Sequence, residues 1–444
     1  MATTQSTDAE ASKSSGKSSR RMLAVMDMSN LLRHVFEYER EIVRTATTLI
    51  YRVGEPELKY LLCQHVWESA QHARFLRERG REMAGFGSGE KVRSDIRKIF
   101  EEAVKPEDGM VALAGFYRVL KPALLEAYRY YLKETDHLAD WPSKQLLQAF
   151  IEDEERHAAE MTAYLEGVEA SDWADHLEAA LSSIGGLLGI REKEDLPAGF
   201  VWEHEKEGFS HPAVCNRGKY PVCSGVFGHD PDVDPIMRPW LEEKANTDPA
   251  ILRLMVYVWL MMELDAVDYL ATIFYDTPEA PLDMHYDMAR HLWDESRHSQ
   301  FGFRQLPRLG VDIMTVEHSL DLYCILVQMP APERYAMMTM EFEAGSFPTK
   351  AYLIDRLHEL NDFEMDTLLA FDRNDEQNHV RYGHQWLKPL MGLFGVETEV
   401  GEFVKATKEK FEEVAKQFGG KIPHTLSPEE RLTANKIKKI AGVN

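Results

Sequence analysis

The sequence is poor in cysteine, in long apolar runs and in positive charge, and each shortage excludes a class of protein. Its 444 residues contain four cysteines without C-x-x-C spacing, so a disulfide scaffold is excluded and a reducing cytoplasm is expected. No apolar run approaches the roughly 18 residues of a membrane-spanning helix. Lys and Arg number 51 against 74 Asp and Glu, a net charge of −23. Such an acidic surface repels phosphates, so we expect neither a nucleic-acid nor a membrane partner.

Two long regions have the pattern of amphipathic helices. Residues 22–185 and 249–395 are rich in Leu, Ala, Glu and aromatic residues, with apolar positions three and four residues apart. Between them, 186–248 is rich in Gly, Pro and Asp, which indicates a connection or a lid over an active site. The Ser-rich segment 1–21 is expected to be a disordered tail, and 396–444 to form two short surface helices. Because no alternating strand pattern occurs, the predicted fold is all-α.

The chain also resembles itself. Four segments align on a histidine: HVWESAQHARFL (65–76), HLWDESRHSQFG (291–302), IEDEERHAAEM (151–161) and RNDEQNHVRYG (373–383). The last three have Asp-Glu directly before x-x-His, whereas the first has Glu68 and Ser69. Further upstream, TTLIYR (47–52) matches ATIFYD (271–276). We interpret the chain as a tandem duplication.

The aligned segments contain a metal-ligand pattern. Glu and His three residues apart lie on one helix face and can reach the same ion. A di-metal site inside a four-helix bundle takes this motif from two helices and one carboxylate from each of the other two. The candidate motifs are Glu295 with His298, Glu376 with His379 and Glu154 with His157, whereas His72 has Ser69 in the acid position.

The single carboxylate of the first helix is predicted by two independent arguments. On a helical wheel, Glu39 lies in or beside the apolar stripe of its helix, and Glu263 lies on the apolar side of the equivalent helix. Asp265 and Asp268 lie with the polar face instead. Aligning the two halves through TTLIYR and ATIFYD places Glu39 and Glu263 at the same position.

The carboxylate of the third helix has alternatives in both halves. In the second half we favour Glu343 over Glu341, because its chain separation from Glu376 resembles that of Glu263 from Glu295. In the first half, alignment of the two prolines that follow places Tyr117 opposite Glu343. The alternative acid there is Glu126.

Further polar residues have a possible role around the site. His291 lies four residues before Glu295 on the same face, where it is either a third histidine of the site or a core histidine; His65 takes the same place in the first half. The Asp that precedes each ligand Glu is expected to hydrogen-bond a ligand imidazole or an arginine such as Arg297, or else to be a solvated acid. These residues are Asp153, Asp294 and Asp375.

The connection contains a second candidate site. Its His211, Cys215, Cys223 and His229 have the residue types of a zinc site, but their spacing matches no closed pattern. We therefore favour a loop or lid without zinc.

At these residues the sequence resembles the ferritin-like superfamily of carboxylate-bridged di-iron proteins. Its ligand order is Glu, Glu-x-x-His, Glu, Glu-x-x-His, and the second half has every member: Glu263, Glu295, His298, Glu343 or Glu341, Glu376 and His379. The first half retains Glu39, His72, Glu154 and His157, but has Ser69 for one acid and Tyr117 or Glu126 for another. The resemblance implies two tandem four-helix bundles, the first with a degenerate and mainly structural site.

The resemblance also implies an activity. The second bundle would bind two Fe ions, or Mn and Fe, with dioxygen as co-substrate, and oxidise a small organic substrate by N-oxygenation or hydroxylation. Electrons would come from an external reductase or ferredoxin, and a homodimer is possible. The order His-x-x-x-Glu-x-x-His around His291 is similar to that of di-iron arylamine N-oxygenases, although here it lies on the second helix of the bundle and not on the fourth.

Other activities are compatible with the same ligands. One is a di-iron oxidase or desaturase, since the same metal core serves these reactions too. Another is a ferroxidase or iron-storage protein, which a tandem chain with a long insertion fits poorly. The last is a non-catalytic scaffold, against which the complete second ligand set argues.

Overall fold

The structure, a computed structural model, describes residues 23–83, 91–224, 249–432, 436 and 439–442. Regular structure within these ranges is almost entirely helical, which confirms the all-α prediction. The exception in the described part is a parallel pair of two-residue strands, β1 (Val222–Cys223) and β2 (His318–Ser319). No helix in these ranges combines the length and apolarity needed to cross a membrane. The predicted tail 1–21 and His229 lie outside the described residues.

The first half has eight α-helices and one π-helix in its described residues. They are α1 (Val25–Ile50), α2 (Pro56–Arg81), α3 (Ser94–Ala103), α4 (Gly109–Gly115), a π-helix (Phe116–Leu120), α5 (Lys121–Glu134), α6 (Trp141–Leu165), α7 (Ser171–Ser183) and α8 (Glu203–Lys206). Helix α4, the π-helix and α5 follow one another without a break. Helix α1 packs against α2 and α5, and α6 also packs against both of them.

The second half repeats this order of long helices. Its elements are α9 (Pro249–Met262), α10 (Leu264–Tyr275), α11 (Leu282–Gln305), α12 (Asp321–Leu326), α13 (Ala331–Ala336), a π-helix (Met337–Phe342), α14 (Glu343–Glu359), α15 (Phe363–Leu393) and α16 (Val400–Phe418). Helix α11 packs against α9, α10 and α15, while α13 and α14 pack against α15. The two halves meet where α2 packs against α11 and α1 against α10.

The C-terminal segment is described up to Leu432 and at residues 436 and 439–442. One helix, α16, is 19 residues long. After it, Ser427 and Glu430 form a turn in which the Ser427 amide donates to the Glu430 carboxylate at 2.9 Å. The capping pattern in the sequence thus closes a turn, and no helix begins there before Leu432.

Helix α1 is the central helix of the molecule, because it is covered on every side. Each residue from Val35 to Ile50 is buried, including acids and arginines that an amphipathic helix would expose. These charged residues are paired: Arg44 Nη2 lies 2.7 Å from Glu41 Oε2. The apolar stripe seen in the sequence therefore faces α2 and α5, while the polar side is covered by α3 and α10.

The polar face predicted for Asp265 and Asp268 is covered by charged side chains from elsewhere in the chain, so both residues are buried. Lys59 of α2 donates to Asp268 Oδ1 at 2.8 Å, and Arg217 of the connection contacts the other oxygen of Asp268. Arg217 Nη2 also lies 3.5 Å from Asp265 Oδ1. Charged groups from both halves and from the connection therefore meet at α10.

The described part of the connection ties the halves together. His211 bonds Tyr51, directly after α1, at 2.8 Å, and Asp276, directly after α10, at 3.0 Å. The backbone N–H of Asn216 donates to the Tyr51 carbonyl at 2.8 Å. His211, Cys215 and Cys223 do not converge on one metal position within the described residues. All four cysteines are buried.

Gly302 sets the closest approach between α11 and α9. A Cβ at Gly302 would collide with the Tyr257 carbonyl oxygen and the Met261 amide nitrogen. Beside it, Ser299 Oγ donates to the Met261 carbonyl at 3.0 Å. Helix α9 ends at the next residue, Met262, and Glu263 lies at the junction with α10. The contact thus fixes the position of Glu263.

We predict that Gly302→Ala lowers the free energy of unfolding by about 1–3 kcal/mol, because the added methyl group must push two backbones apart. Urea denaturation would measure the change. The control is Gly392→Ala in α15, where a Cβ meets nothing within 4 Å; there we expect a gain of up to about 1 kcal/mol. Equal effects of the two substitutions would contradict the steric explanation.

Candidate metal centre

Four buried side chains of the second half form one group, cluster A. It comprises His291 and Glu295 of α11, Glu343 at the start of α14 and His379 of α15, with ligand atoms all within 4.8 Å of one another. Glu343 Oε1 lies 3.0 Å from His291 Nε2 and 3.3 Å from His379 Nδ1. The two imidazoles stack with their centroids 3.6 Å apart. His291, whose role the sequence left open, is thus a full member of the cluster.

A second group, cluster B, adjoins cluster A. It comprises Glu263, His298 and Asp372, whose ligand atoms also lie within 4.8 Å of one another. His298 Nδ1 lies 3.1 Å from Asp372 Oδ1 and 3.5 Å from Glu263 Oε2. The ammonium of Lys350 lies 2.6 Å from Asp372 Oδ2 and contacts Glu376. The predicted ligand Glu376 is therefore directed at Lys350.

Several atoms in these clusters lack a hydrogen-bond partner although they are buried. Among them are Glu295 Oε1 of cluster A and Glu263 Oε2 and His298 Nδ1 of cluster B. An unpaired buried polar atom costs about 1–3 kcal/mol, and more when it is charged. Because these atoms are carboxylate oxygens and an imidazole nitrogen that converge, a divalent cation would satisfy them together. Such ligands suit iron or manganese, so the residues present fit a di-metal centre.

The electrostatics of the site also favour added positive charge. Five carboxylates (Glu263, Glu295, Glu343, Asp372 and Glu376) face one ammonium, that of Lys350. With neutral imidazoles this leaves four negative charges, the number that two divalent ions neutralise. Burial and neighbouring acids raise the pKa of Glu263 and of Glu376 well above the ordinary value, although Lys350 opposes this shift. An ionised Glu263 or Glu376 is thus costly without a further cation. In cluster A, by contrast, hydrogen bonds to His291 and His379 outweigh burial and lower the pKa of Glu295 and Glu343.

Two histidines of the clusters, His379 and His298, each bond an aspartate of the opposite helix through Nε2. Asp294 of α11 bonds His379 Nε2 at 3.3 Å, and Asp375 of α15 bonds His298 Nε2 at 3.4 Å. Arg297 contacts both aspartates. The hydrogen bonds expected of Asp294 and Asp375 to an imidazole and to Arg297 are therefore present. An imidazole that donates from Nε2 to carboxylate directs its Nδ1 lone pair into the cluster.

The first half has the same geometry with different chemistry. Asp153 bonds His72 Nε2 at 3.1 Å, and Glu68, which aligns with Asp294, bonds His157 Nε2 at 2.5 Å. His65 stacks on His157 with centroids 3.7 Å apart, as His291 does on His379. Tyr117 bonds His65 at 2.8 Å, in the place that Glu343 takes beside His291.

Cations of the protein itself neutralise the acids of the first half. Lys121 Nζ lies 2.7 Å from Glu154 Oε1, 3.2 Å from His157 Nδ1 and 3.3 Å from Ser69 Oγ. Glu39 accepts from His72 at 3.0 Å and from Tyr128 at 2.6 Å. Burial alone would lower the pKa of His72, but the bonds to Asp153 and Glu39 raise it to about 9. Although Glu39, His72 and Glu154 lie close enough to share an ion, their charges are already balanced.

Two of the alternative acids lie outside the clusters. Glu126 is exposed on α5 and pairs with Arg191, so Tyr117 and not Glu126 aligns with Glu343 in space. Glu341 is half-buried and pairs with Lys408 at 2.6 Å, whereas Glu343 lies in cluster A. The choice of Tyr117 over Glu126 and of Glu343 over Glu341 depends on which side chains a π-helix directs inward. A regular helical wheel does not reproduce that direction.

Three residues of the site escaped the sequence reasoning, although their spacing offered an indication. Asp372 precedes Glu376 by four residues and so shares its face of α15. Lys350 follows Glu343 by two turns on α14. Glu68 directly precedes Ser69, at the position of Asp294. A search restricted to Glu-x-x-His motifs and single glutamates passes over all three.

A cavity of about 400 Å³ opens beside both clusters. Glu263, Glu295, Glu343 and Glu376 form part of its wall. The apolar part of the wall comes from Trp259, Met262, Tyr269, Leu322, Met338 and Phe342. None of the lining residues belongs to the connection, so its described part, up to Ser224, is not a lid over this cavity.

Comparison with known proteins adds one match. The profile of a family described as "Protein of unknown function (DUF455)" matches residues 241–439, a range that contains every residue of clusters A and B but less than half of the chain. No curated protein and no solved structure matches.

We predict that Lys121→Met lowers the free energy of unfolding by about 3–5 kcal/mol, because it leaves Glu154 buried without its cation. Urea denaturation would measure this. Lys133→Met, at an exposed lysine of the same helix, is the control and should change the free energy by less than about 0.5 kcal/mol. A loss at Lys121 no larger than that at Lys133 would contradict the neutralising role.

Proposed function

We propose that the second half is a ferritin-like bundle that binds two divalent ions, iron or manganese, in clusters A and B. The observation that carries this proposal is the convergence of buried carboxylate and imidazole groups from four helical segments, several of whose ligand atoms lack a hydrogen-bond partner. The aspartates behind His298 and His379 support it, since such partners orient metal-bound imidazoles.

We further propose that the chain consists of two tandem bundles of this kind. In the first half, α1, α2, the α4–α5 segment and α6 pack around Glu39, Glu154 and His157. In the second half, the α9–α10 segment, α11, the α13–α14 segment and α15 pack around clusters A and B. The matching histidine stacks and carboxylate–histidine bonds in the two halves support a duplication.

The proposed activity is a dioxygen-dependent oxidation of a small organic substrate, by hydroxylation or N-oxygenation. The ions would supply the redox chemistry with dioxygen, and electrons would come from a separate reductase or ferredoxin. The chain's own residues have other tasks. Asp294 and Asp375 orient the imidazoles, the five carboxylates hold the ions, and the apolar wall of the cavity, with Trp259 and Met338, keeps water from the substrate.

The first test compares two glutamates that lie two residues apart. We predict that Glu343→Gln lowers Fe(II) affinity at least about a hundredfold, because it removes a charged ligand from cluster A. Glu341→Gln should leave the affinity unchanged, because Glu341 pairs with Lys408 at the cavity rim. Anaerobic Fe(II) titration with metal analysis would measure both.

The same loaded proteins test the reaction. When the Fe(II)-loaded wild type is exposed to oxygen, we expect oxygen to be consumed and the optical spectrum to change. The Fe(II)-loaded Glu341→Gln protein should react in the same way. A chain that binds no iron or manganese, or whose bound Fe(II) does not react with oxygen, would overturn the proposal.

The aspartates behind the imidazoles give a separate prediction. Asp294→Asn retains the shape of the side chain but removes the negative charge that faces His379 Nε2. Metal affinity should therefore fall about 10–100-fold. The control is Asp287→Asn on the same helix, since Asp287 bonds Trp386 outside both clusters. Titration with Co(II), monitored by its visible absorption, would report affinity and geometry together. Equal affinities of the two variants would show that Asp294 does not tune the site.

A further inference from the structure

We propose that Lys350 makes the two metal positions unequal: cluster A binds the first ion tightly, and an ion enters cluster B only by displacing the Lys350 ammonium. The inference rests on the proposed metal binding by these residues. It concerns the order and strength of binding, which the ligand pattern alone does not determine.

The position of Lys350 carries the first step. The residue is 0 % exposed, and its Nζ lies 2.6 Å from Asp372 Oδ2, 2.7 Å from Asp372 Oδ1 and 3.6 Å from Glu263 Oε1. It also contacts Glu376 Oε1. The ammonium therefore faces the carboxylate oxygens that an ion in cluster B requires. Because two cations repel strongly at such short range inside a protein, the ammonium and the ion cannot share these oxygens.

Cluster A has no such competitor. No lysine or arginine of the described residues forms an ion pair with Glu295 or Glu343; their close partners are His291 and His379. Imidazoles are themselves metal ligands. Although hydrogen bonds to Asp294, Glu295 and Glu343 outweigh burial and raise the pKa of His379, an ion entering cluster A displaces at most a proton there and no lysine or arginine side chain. The first ion should therefore bind there.

The first half has an ammonium at the position equivalent to cluster A. Lys121 contacts Glu154 and His157, which align with Glu376 and His379 of the second half. Where Glu295 would provide a further carboxylate, that half has Ser69. One ammonium balances the acids there, which indicates that a lysine can replace an ion in this arrangement of helices.

A displaced Lys350 side chain has a place to go. Its ammonium lies 4.9 Å from the centroid of the Trp259 ring, and Trp259 lines the cavity together with Thr349, the neighbour of Lys350. An aromatic face attracts an ammonium, so movement along Trp259 into the cavity keeps the charge in favourable surroundings. Loading of cluster B would then also change the shape of the cavity.

Equilibrium titration with Mn²⁺ under anaerobic conditions tests the inference on the full chain. Electron paramagnetic resonance distinguishes one isolated Mn²⁺ from a coupled pair. In the wild type we expect an isolated ion first, and a coupled pair only at free Mn²⁺ concentrations at least about tenfold higher. Lys350→Met should bind two ions with similar affinity and give the coupled signal from the start.

Lys408→Met is the matched control, because Lys408 pairs with Glu341 near the cavity but not with a cluster residue. It should titrate like the wild type. If Lys350→Met folds only with Mn²⁺ present, recovery of its circular dichroism with two bound ions per chain supports the inference. The wild-type titration decides independently of that variant.

The outcomes separate the two proposals. Two ions of equal affinity in the wild type, or a Lys350→Met protein that still binds its ions unequally, would overturn the role of Lys350 and leave the proposed metal centre intact. Absence of Mn²⁺ and Fe²⁺ binding by the wild type would overturn the proposed function, and the inference with it.

Discussion

The burial of carboxylates between helices is the constraint on which the rest of the structure depends. An acid removed from water requires a cation or several hydrogen-bond donors nearby. In the first half, Lys121 lies against Glu154, and His72 against Glu39. In the second half, Lys350 is the one ammonium among five acids of the described site. The packing of the long helices is thus compatible with either a protein cation or a metal ion, and the choice of side chains decides between them.

The two halves differ in a consistent direction. Ser69, Tyr117 and Phe150 in the first half stand where the second half has Glu295, Glu343 and Asp372. Each difference removes one negative charge, and together they leave a site that Lys121 and His72 can neutralise. The features that do not change the net charge of the site are the same in the two halves. They are the stacked histidines, the acids that bond them and the adjacent π-helices. The first half can therefore serve as a support for α11 and α10, against which it packs.

The sequence predicted the elements that depend on local periodicity and repetition. Glu39, Glu263 and the three Glu-x-x-His motifs follow from helical spacing and from the alignment of the halves. Lys350 was missed because a lysine in an amphipathic helix ordinarily faces solvent, and only the approach of α15 buries it. Asp268 was assigned to a polar face because its partners, Lys59 and Arg217, come from distant parts of the chain. Such long-range pairing has no signature in the local pattern.

The π-helix before Glu343 has a consequence for how such a site changes between related chains. A π-helix contains one residue more per turn than an α-helix would need, so its loss or gain requires only the deletion or insertion of a single codon. Such an event rotates the following residues by about 100° around the helix axis. Here a single-residue insertion or deletion would turn Glu343 away from His291 and His379. Other residues of the helix would then face the core. A cluster built in this way can be assembled or dispersed by one indel, without any substitution among its residues.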